Sequence, residues 1–363
     1  MLNVRLNHQQ GAFTLDVDFQ APPGITVLFG RSGSGKTTIV NAVAGLLSPG
    51  QGRIAVDDLT LVDTDARVNL PPHRRRLGYV FQEGRLFPHM TVRQNLGYGR
   101  FFAPRKAPQK TWRAEADRVV EMLGIGPLLD RRPGLLSGGE KQRVAIGRAL
   151  LSSPRLILAD EPLAALDEAR KAEILPYFER LRDEVSVPIL YVSHSAAEVA
   201  RLATTVIALD GGRIVRRGPA GEVLADPMVT PTGVRAAGAV IEARVVTHHP
   251  DGITELEAGG LPLFLPRVAH SPGQTIRLRI PAQEVVLSRT RPEGLSALNI
   301  LPGTVDRVRA GEGPGALVSL QTPAGAVLAR ITRRSVEAMG LAEGATCHAI
   351  IKSVGIAPED VGG

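Results

Sequence analysis

The sequence predicts an α/β core followed by a smaller, mostly β region, and three observations support this division. Short apolar runs of strand length alternate with helical stretches through about the first 225 residues, as in a largely parallel sheet covered by helices. Past about Pro231 the helical periodicity fades, and short β-type runs separated by Gly and Pro indicate a small barrel or sandwich. This second region also contains a weak internal repeat.

The strands of the first region are predicted from apolar runs of four or five residues, at 25–29, 156–159, 189–192 and 206–209. Helices are expected between them, for example over 36–46 and 168–183. In the second region, GAVIEARVV from Gly238 resembles GTVDRVRAG from Gly303, and PGQTIRLRI from Pro272 resembles EGATCHAII from Glu343. We interpret these pairs as two related β units in tandem, joined near residues 291–294.

The composition is that of an ordinary globular protein, with 44% hydrophobic and 22% charged residues. No run approaches the roughly 18 apolar residues of a membrane span, and the N-terminus has no secretory signal pattern. Cys347 is the only cysteine, so an internal disulfide is excluded, which fits a reducing cytosol. The net charge is +7, but the arginines are scattered along the chain, and we expect no nucleic-acid partner.

A glycine-rich stretch after the first apolar strand predicts a nucleotide-phosphate site. It matches G-x-x-x-x-G-K-[ST] between a strand and a helix, where backbone N–H groups can surround a β-phosphate. Lys36 is predicted to reach the β- and γ-phosphates, and the hydroxyl of Thr37 to hold Mg²⁺. The predicted nucleotide-binding residues are Gly30, Arg31, Ser32, Gly33, Ser34, Gly35, Lys36, Thr37 and Thr38.

Two carboxylates at the end of a second buried strand predict a hydrolytic site. Asp160 and Glu161 follow LILA at the strand end where open α/β sheets bind their ligands. Asp160 is predicted to bind Mg²⁺ through water, and Glu161 to polarise the attacking water. Gln82 after LGYVF and His194 after PILYVS are candidate sensors of the γ-phosphate, with Gln82 also a candidate Mg²⁺ contact.

A second anion-binding pattern, LSGGE, occurs about a hundred residues after the first. It comprises Ser137, Gly138, Gly139 and Glu140 at a predicted helix start, where N–H groups and a hydroxyl suit a γ-phosphate. A single nucleotide needs only one such site, so the pattern within one chain does not explain the second.

The ordered motifs GRSGSGKTT, VFQ, LSGGEKQRVAIGRAL, LILADEPLAALD and YVSH resemble the ATP-binding subunits of ABC transporters over roughly residues 1–225. The resemblance implies an ABC-type P-loop nucleotide-binding domain with a helical subdomain, which hydrolyses ATP with Mg²⁺. In that family LSGGE is the signature motif and acts in trans within a head-to-tail homodimer. Asp167 matches the D-loop aspartate near the dimer seam, and Phe13 or His8 would stack on the adenine.

The segment LFPHMTVRQNL resembles the importer branch of this family, in which it contacts the membrane subunits. Leu86, Phe87 and Met90 are therefore candidates for a partner pocket, although core packing explains them equally. GLSALNILPGTV and AIIKSVGIAP resemble the Mop/TOBE type of OB- or barrel-like β domain, and the nucleotide domain resembles molybdate-importer ATPases.

In Mop domains a small oxyanion binds between β units through hydroxyls, N–H groups and a lysine. The matching residues are Ser296, Asn299, Lys352 and Ser353. The family's usual SARN reads SALN here, with Leu298 in place of an arginine. The alternative is that this domain binds nothing and only stabilises a dimer.

The resemblance implies three segments: a nucleotide-binding domain at 1–230, a linker and first β unit at 231–292, and an oxyanion-binding β domain at 293–363. It implies ATP-driven import of molybdate, with tungstate as a second candidate, through two transmembrane permease subunits. An external or periplasmic oxyanion-binding protein would deliver the solute, and the chain would be peripheral at the cytoplasmic face of the inner membrane. The alternatives are an importer of sulfate, sugar, polyamine or iron, a soluble ABC-type ATPase acting on nucleic acid or in translation, and a regulatory oxyanion-binding protein.

Overall fold

The computed structural model describes residues 1–101, 109–164, 166–226, 237–311 and 313–363. Two units are present: Met1–His194 with Ala203–Arg217, and Ser195–Leu202 with Gly218–Gly363. The predicted segment boundary at residues 230 and 231 lies outside the described residues. Within those residues, the helices are all too short or too polar to cross a bilayer.

The described part of the first unit is an α/β structure, as the sequence predicts. Its helices are α1 (Lys36–Ala44), α2 (Val92–Gly97), α3 (Gln109–Met122), α4 (Gly138–Leu150) and α5 (Glu168–Glu184). Its strands are β1 (Leu2–Gln10), β2 (Phe13–Ala21), β3 (Ile25–Gly30), β4 (Gln51–Val56), β5 (Leu59–Asp63), β6 (Val68–Asn69), β7 (Leu77–Val80), β8 (Leu156–Asp160), β9 (Ile189–Ser193), β10 (Thr205–Asp210) and β11 (Arg213–Gly218).

These strands form one sheet in the order β6-β5-β4-β1-β2-β11-β10-β3-β9-β8-β7. The run from β10 to β7 is parallel, whereas β1 pairs antiparallel with β2 and β4. All residues of β3 and β9 are buried, which is why these strands read as unbroken apolar runs. The carboxyl ends of the parallel strands consequently meet at one edge of the sheet.

Helix α1 is shorter than the predicted 36–46, because Gly45 adopts a left-handed conformation (φ 81°) and ends it. The side chain of Arg75, fully buried, supplies donors to the carbonyl groups at this end. Its guanidinium donates to the carbonyl oxygens of Ala42 (2.6 Å) and Val43 (2.9 Å), and to Leu70 O (2.6 Å). A cation at a helix C-terminus is favoured by the helix dipole, so Arg75 fixes this end of α1.

The second unit contains, in its described residues, two five-stranded sheets and three helices. The helices are α6 (Ala196–Leu202), α7 (Ala220–Leu224) and α8 (Arg333–Ala338). The strands are β12 (Gly238–His248), β13 (Ile253–Ala258), β14 (Leu261–Pro266), β15 (Thr275–Pro281), β16 (Val285–Ser288), β17 (Asn299–Ala310), β18 (Gly315–Thr322), β19 (Gly325–Thr332), β20 (Thr346–Ile351) and β21 (Val361–Gly362).

The two sheets have corresponding strand orders, β14-β13-β12-β15-β21 and β19-β18-β17-β20-β16. The repeated sequence segments fall on corresponding strands, β12 with β17 and β15 with β20. The fifth strands are exchanged: β16 follows β15 in the chain but pairs with β20, and the C-terminal β21 pairs with β15. The predicted mostly β second region is confirmed, and its two halves are joined by this exchange.

One amide side chain also joins the two sheets. Asn299, at the start of β17, is 1% exposed. Its Oδ1 accepts from the N–H of Phe264 in β14 (2.7 Å), and its Nδ2 donates to the Phe264 carbonyl oxygen (3.0 Å). A single buried cluster contains side chains of both sheets, such as Ile241 and Val305.

Replacing Arg75 with Met is expected to lower the free energy of unfolding of the first unit by about 3 kcal/mol or more, because several buried acceptors lose their donor. Urea titration of the full chain measures this effect. The control is Arg74→Met, since Arg74 is exposed and should change stability by no more than about 0.5 kcal/mol. Equal effects of the two substitutions would contradict the capping role of Arg75.

Replacing Asn299 with Leu keeps the side-chain volume but removes both hydrogen bonds to Phe264. We expect a loss of about 2–4 kcal/mol in the stability of the second unit, since a buried N–H and a buried carbonyl are left unpaired. Thermal unfolding is the measurement, and Leu298→Ala, at a neighbouring position that is 53% exposed, is the control. An unchanged melting temperature would show that Asn299 does not join the sheets.

Candidate functional site

Parallel pairing brings three predicted features to one edge of the sheet: the glycine-rich loop at 30–38, here called the P-loop, the Glu161 carboxylate and His194. Phe29 in β3 lies opposite Ser193 in β9, and Asp160 in β8 lies opposite Val192. The P-loop, Glu161 and His194 each follow the end of one of these adjacent strands. Gln82 follows β7, the next strand, and is exposed.

The P-loop has the backbone that its glycines allow. Gly33 and Gly35 have φ values of 80° and 103°, in the left-handed region that other residues rarely adopt. A Cβ at Gly30 would lie 2.4 Å from the carbonyl oxygen of Leu209, so no side chain fits there. The sequence pattern therefore reflects both turn conformation and close packing.

The donors of this loop fit an anionic phosphate group. Gly35 stands at the N-cap of α1 without a side-chain acceptor for the first N–H groups, and these are the groups that bind phosphates in such loops. Ser34 Oγ is buried and has no hydrogen-bond partner in the described structure. Lys36, 5% exposed, donates through Nζ to the carbonyl oxygens of Gly30 and Arg31, both at 2.8 Å.

Neighbouring charges influence the pKa values of Lys36 and Asp160. Burial lowers the pKa of Lys36, and the charges of Glu161 and Asp160 raise it. Burial, followed by the charge of Glu161, raises the pKa of Asp160. The hydroxyl of Tyr79 in β7 donates to Asp160 Oδ2 at 3.5 Å and favours the ionised carboxylate. A divalent cation fits this group, because it would compensate the two adjacent negative charges.

Glu161 and His194 contact each other. His194 Nδ1 lies 3.4 Å from Glu161 Oε1. Glu161 has a φ of 44°, unusual for a non-glycine residue, and its N–H donates to Val192 O in β9 (3.2 Å). Strained backbone of this kind clusters at functional sites. The backbone of Glu161 is thus fixed by its bond to β9, and its carboxylate has His194 as a neighbour.

The LSGGE residues form the N-terminus of α4. Ser137 Oγ accepts from the N–H of Glu140 (3.2 Å), and Glu140 Oε2 accepts from the N–H of Ser137 (2.7 Å), a capping box. Neither Gly138 nor Gly139 has a positive φ, and a Cβ at either would have its nearest neighbour at an ordinary 3.5–3.6 Å. The packing of the described residues therefore does not explain why both positions are glycine.

Asp167 caps the helix next to this motif. Its Oδ1 accepts from the N–H of Arg170 (2.9 Å) at the start of α5. The neighbours of a Cβ at Gly138 would be Leu166 and Arg170. The predicted D-loop aspartate and the LSGGE motif are therefore close to each other at the starts of α5 and α4.

The two candidates for adenine contact occupy different surroundings. Phe13, half-buried at the start of β2, lies beside the P-loop, because a Cβ at Gly35 would be 3.2 Å from its ring. His8 Nδ1 accepts the N–H of Gly50 (3.2 Å). The surroundings favour Phe13, and its contact with adenine stays a prediction.

The predicted partner-contact residues Leu86, Phe87 and Met90 are each half-buried. The ring of Phe87 lies 4.2 Å from that of Tyr98 and 5.3 Å from the Arg148 guanidinium. Part of the apolar surface of this segment is therefore used within the chain, and the rest is accessible.

The predicted oxyanion residues lie at or next to the paired ends of β17 and β20. Asn299 lies opposite Ile351, so that Ser296 precedes one strand end and Lys352 and Ser353 follow the other. Ser296 and Lys352 are exposed. Ser353 is 8% exposed, and its Oγ has no hydrogen-bond partner in the described structure. Asn299 bonds Phe264, and its amide carries a second N–H.

Sequence reasoning missed Tyr79 and the sheet-joining bonds of Asn299. Tyr79 occupies an ordinary strand position in LGYVF, and only the pairing of β7 with β8 brings it to Asp160. The amide of Asn299 matches an oxyanion motif in sequence, and nothing local indicates its bonds to a strand that lies 35 positions earlier.

Comparison with known proteins agrees with this geometry. A family model for ABC transporters matches residues 15–164, and one for the TOBE domain matches residues 295–357. CbiO1 of Clostridium perfringens, part of the ABC transporter complex CbiONQ, aligns with a TM-score of 0.53 and 27% identity over 62% of this chain and 90% of its own. A bacterial ABC transporter cassette solved as a dimer aligns with a TM-score of 0.50 and 27% identity. The alignment covers 61% of this chain and 99% of the cassette.

Two relatives are similar along nearly their full length. The molybdenum import ATP-binding protein ModC of Mesorhizobium japonicum is 51% identical over 97% of this chain and 95% of its own. ModC of Rhizobium meliloti is 51% identical over 98% of this chain and 99% of its own. The predicted fold class and the resemblance to ABC transporter subunits with a TOBE-type domain are confirmed. The chain belongs to the ModC family of ABC transporter ATP-binding proteins.

Proposed function

We propose that two copies of this chain pair head to tail and hydrolyse ATP at sites that both chains complete, which powers import of molybdate through membrane subunits. The main support for ATP hydrolysis is that the P-loop, Asp160, Glu161 and His194 lie at the same edge of the sheet. The solute is inferred from the names of the relatives, which are molybdenum import proteins.

The P-loop would bind the β-phosphate through the N–H groups at the start of α1. Lys36 would exchange its bonds to loop carbonyls for bonds to phosphate oxygens, a small movement because its ammonium already lies in the loop. Mg²⁺ would be held by Thr37, Gln82 and Asp160, and would neutralise phosphate charge when bound. Tyr79 would orient the Asp160 carboxylate.

Glu161 would polarise the attacking water, since its carboxylate follows β8 at the phosphate-binding edge. His194, 3.4 Å from Glu161, would hold that carboxylate in position and donate to the γ-phosphate. Lys36 is buried beside these residues, and its partial removal from water strengthens its attraction to the charges around it.

The second chain would supply Ser137, Gly138 and Gly139. Two glycines that packing among the described residues does not require leave the N-terminus of α4 open to close approach by a phosphate. The partner's Asp167 would lie at the same seam, because it caps the helix beside the signature. ATP would then hold the dimer together until the γ-phosphate is lost.

Transport requires two transmembrane permease subunits, with this chain peripheral on the cytoplasmic face of the membrane. The half-buried apolar residues Leu86, Phe87 and Met90 would contact them. An external binding protein would deliver the oxyanion to the permease. The C-terminal unit would bind the same oxyanion through Ser296, Asn299, Lys352 and Ser353, and the partnerless buried hydroxyl of Ser353 supports this assignment.

Replacing Glu161 with Gln removes the carboxylate but keeps the side-chain volume. We expect ATP binding to persist, hydrolysis to fall on the order of 10²–10⁴-fold, and ATP to trap a dimer. Phosphate release and size-exclusion chromatography with ATP and Mg²⁺ are the measurements. Glu168→Gln, at an exposed position on α5, is the control. Unchanged turnover in Glu161→Gln would refute the assigned role.

Calorimetric titration of the full chain with molybdate, tungstate and sulfate tests the C-terminal site. We expect molybdate or tungstate to bind more tightly than sulfate, and Lys352→Ala and Ser353→Ala to weaken binding by about tenfold or more, since each removes a donor to a charged ligand. Arg334→Ala, which removes an exposed cation of the same unit, is the control. Absence of binding would reduce this unit to a dimerisation module and leave the ATPase assignment intact.

A further inference from the structure

Helix α4 binds the irregular segment that follows β7. Gln142 Nε2 donates to the carbonyl oxygen of Phe81 (3.3 Å). The two terminal nitrogens of Arg148 donate to the carbonyl oxygens of Arg85 (2.9 Å) and Gly84 (3.3 Å). Three carbonyl groups of a segment without regular structure thus take their donors from a single helix.

The backbone of this segment also packs directly on the helix. A Cβ at Gly84 would lie 3.1 Å from the carbonyl oxygen of Lys141 and 3.6 Å from Cβ of Ala145. Residues 141, 145 and 148 share one helix face by their spacing. Any side chain at position 84 would push the segment away from that face, so the contact depends on glycine.

The far end of the segment is fixed through Phe87. The guanidinium of Arg148 lies over its ring, 5.3 Å from the centroid. Asn95, fully buried, accepts from the N–H of Phe87 (2.8 Å) and donates to the carbonyl oxygens of Phe87, Met90 and Thr91 (3.0–3.3 Å). Arg148 therefore bonds the middle of the segment and contacts the residue that anchors its end.

Helix α4 consequently connects two elements of the proposed site. Its N-terminus is the signature motif, which would contact the partner chain's ATP. Its side binds residues 81–87, the Gln82 segment, in which Gln82 would contact the chain's own ATP. A helix of 13 residues moves largely as one body, because its successive turns are joined by backbone hydrogen bonds. A shift of the signature motif at one nucleotide would then move the segment that serves the other.

We propose that Arg148 and Gln142 are positioning residues that couple the two ATP sites of the dimer, by tying the Gln82 segment to the signature helix. This inference rests on the proposed head-to-tail function. Arginine suits the position because its planar fork spans two carbonyl groups while its face covers an aromatic ring, which a lysine cannot do. Burial lowers the pKa of Arg148, consistent with a guanidinium held between protein groups.

The test compares Arg148→Met and Arg148→Lys with Arg143→Met in the full chain. Arg143 lies on the same helix but donates to the carbonyl oxygens of Leu123 and Gly124 and to the hydroxyl of Tyr177, and so controls for loss of a helix-stabilising arginine. The measurements are the dependence of ATP hydrolysis on ATP concentration and the deuterium exchange of the amides at 83–87.

We expect a Hill coefficient clearly above 1 in the unsubstituted chain and in Arg143→Met, and a value of about 1 in both Arg148 variants. Amide exchange at 83–87 should rise by about tenfold in the Arg148 variants alone. If Arg148→Met does not fold, Gln142→Met, which removes one bond to the segment, should lower the Hill coefficient in the same direction.

Three results would overturn the coupling role: a Hill coefficient of about 1 in the unsubstituted chain, retained cooperativity in the Arg148 variants, or equal loss in Arg143→Met. Failure of the proposed function gives a different result, namely no ATP hydrolysis, or hydrolysis that does not depend on Glu161. A chain that hydrolyses ATP through Glu161 but keeps its cooperativity without Arg148 refutes only this inference.

Discussion

The backbone groups at the two ends of helix α1 differ in their hydrogen bonding, and the nucleotide site depends on this difference. At its N-terminus Gly35 provides no side-chain acceptor, so the first N–H groups are available to a phosphate. At its C-terminus the buried guanidinium of Arg75 donates to the last carbonyl groups. Both arrangements agree with the helix dipole, which favours an anion at one end and a cation at the other. The rigid C-terminal end keeps the open N-terminal end aimed at the sheet edge where the carboxylates lie.

The N-terminus of helix α4, which would bind the partner chain's ATP, is also left partly open to a ligand. Its first N–H groups are partly satisfied by the Ser137–Glu140 capping box, and its glycines leave room for a ligand that its own chain does not supply. Its side is occupied by the Gln82 segment, whose carbonyl groups lack partners in a sheet or helix and accept from Gln142 and Arg148. These three hydrogen bonds give a segment without regular structure a defined position on the helix.

The two repeats of the second unit are held together by an exchange of strands. Each of its sheets takes its fifth strand from beyond the end of the other repeat, so neither half has a complete sheet alone. Asn299 adds a pair of hydrogen bonds between them, and one apolar cluster is shared. The proposed oxyanion residues follow and precede the strand ends at this junction. A ligand there would contact groups held in place by both repeats, which suits recognition of a small anion that needs several donors at once.

The sequence by itself determined the α/β core, the mostly β second region and the motifs of the nucleotide site, because these depend on local patterns. Strand periodicity, the P-loop glycines and the carboxylates after LILA are all readable within a few residues. Tertiary structure alone decided the contacts of Tyr79, Arg75, Arg148 and Asn299, and the exchange of β16 and β21. These features depend on which distant strands and helices become neighbours, since the partner of a buried polar group is chosen by the packing around it, and no local pattern encodes that choice.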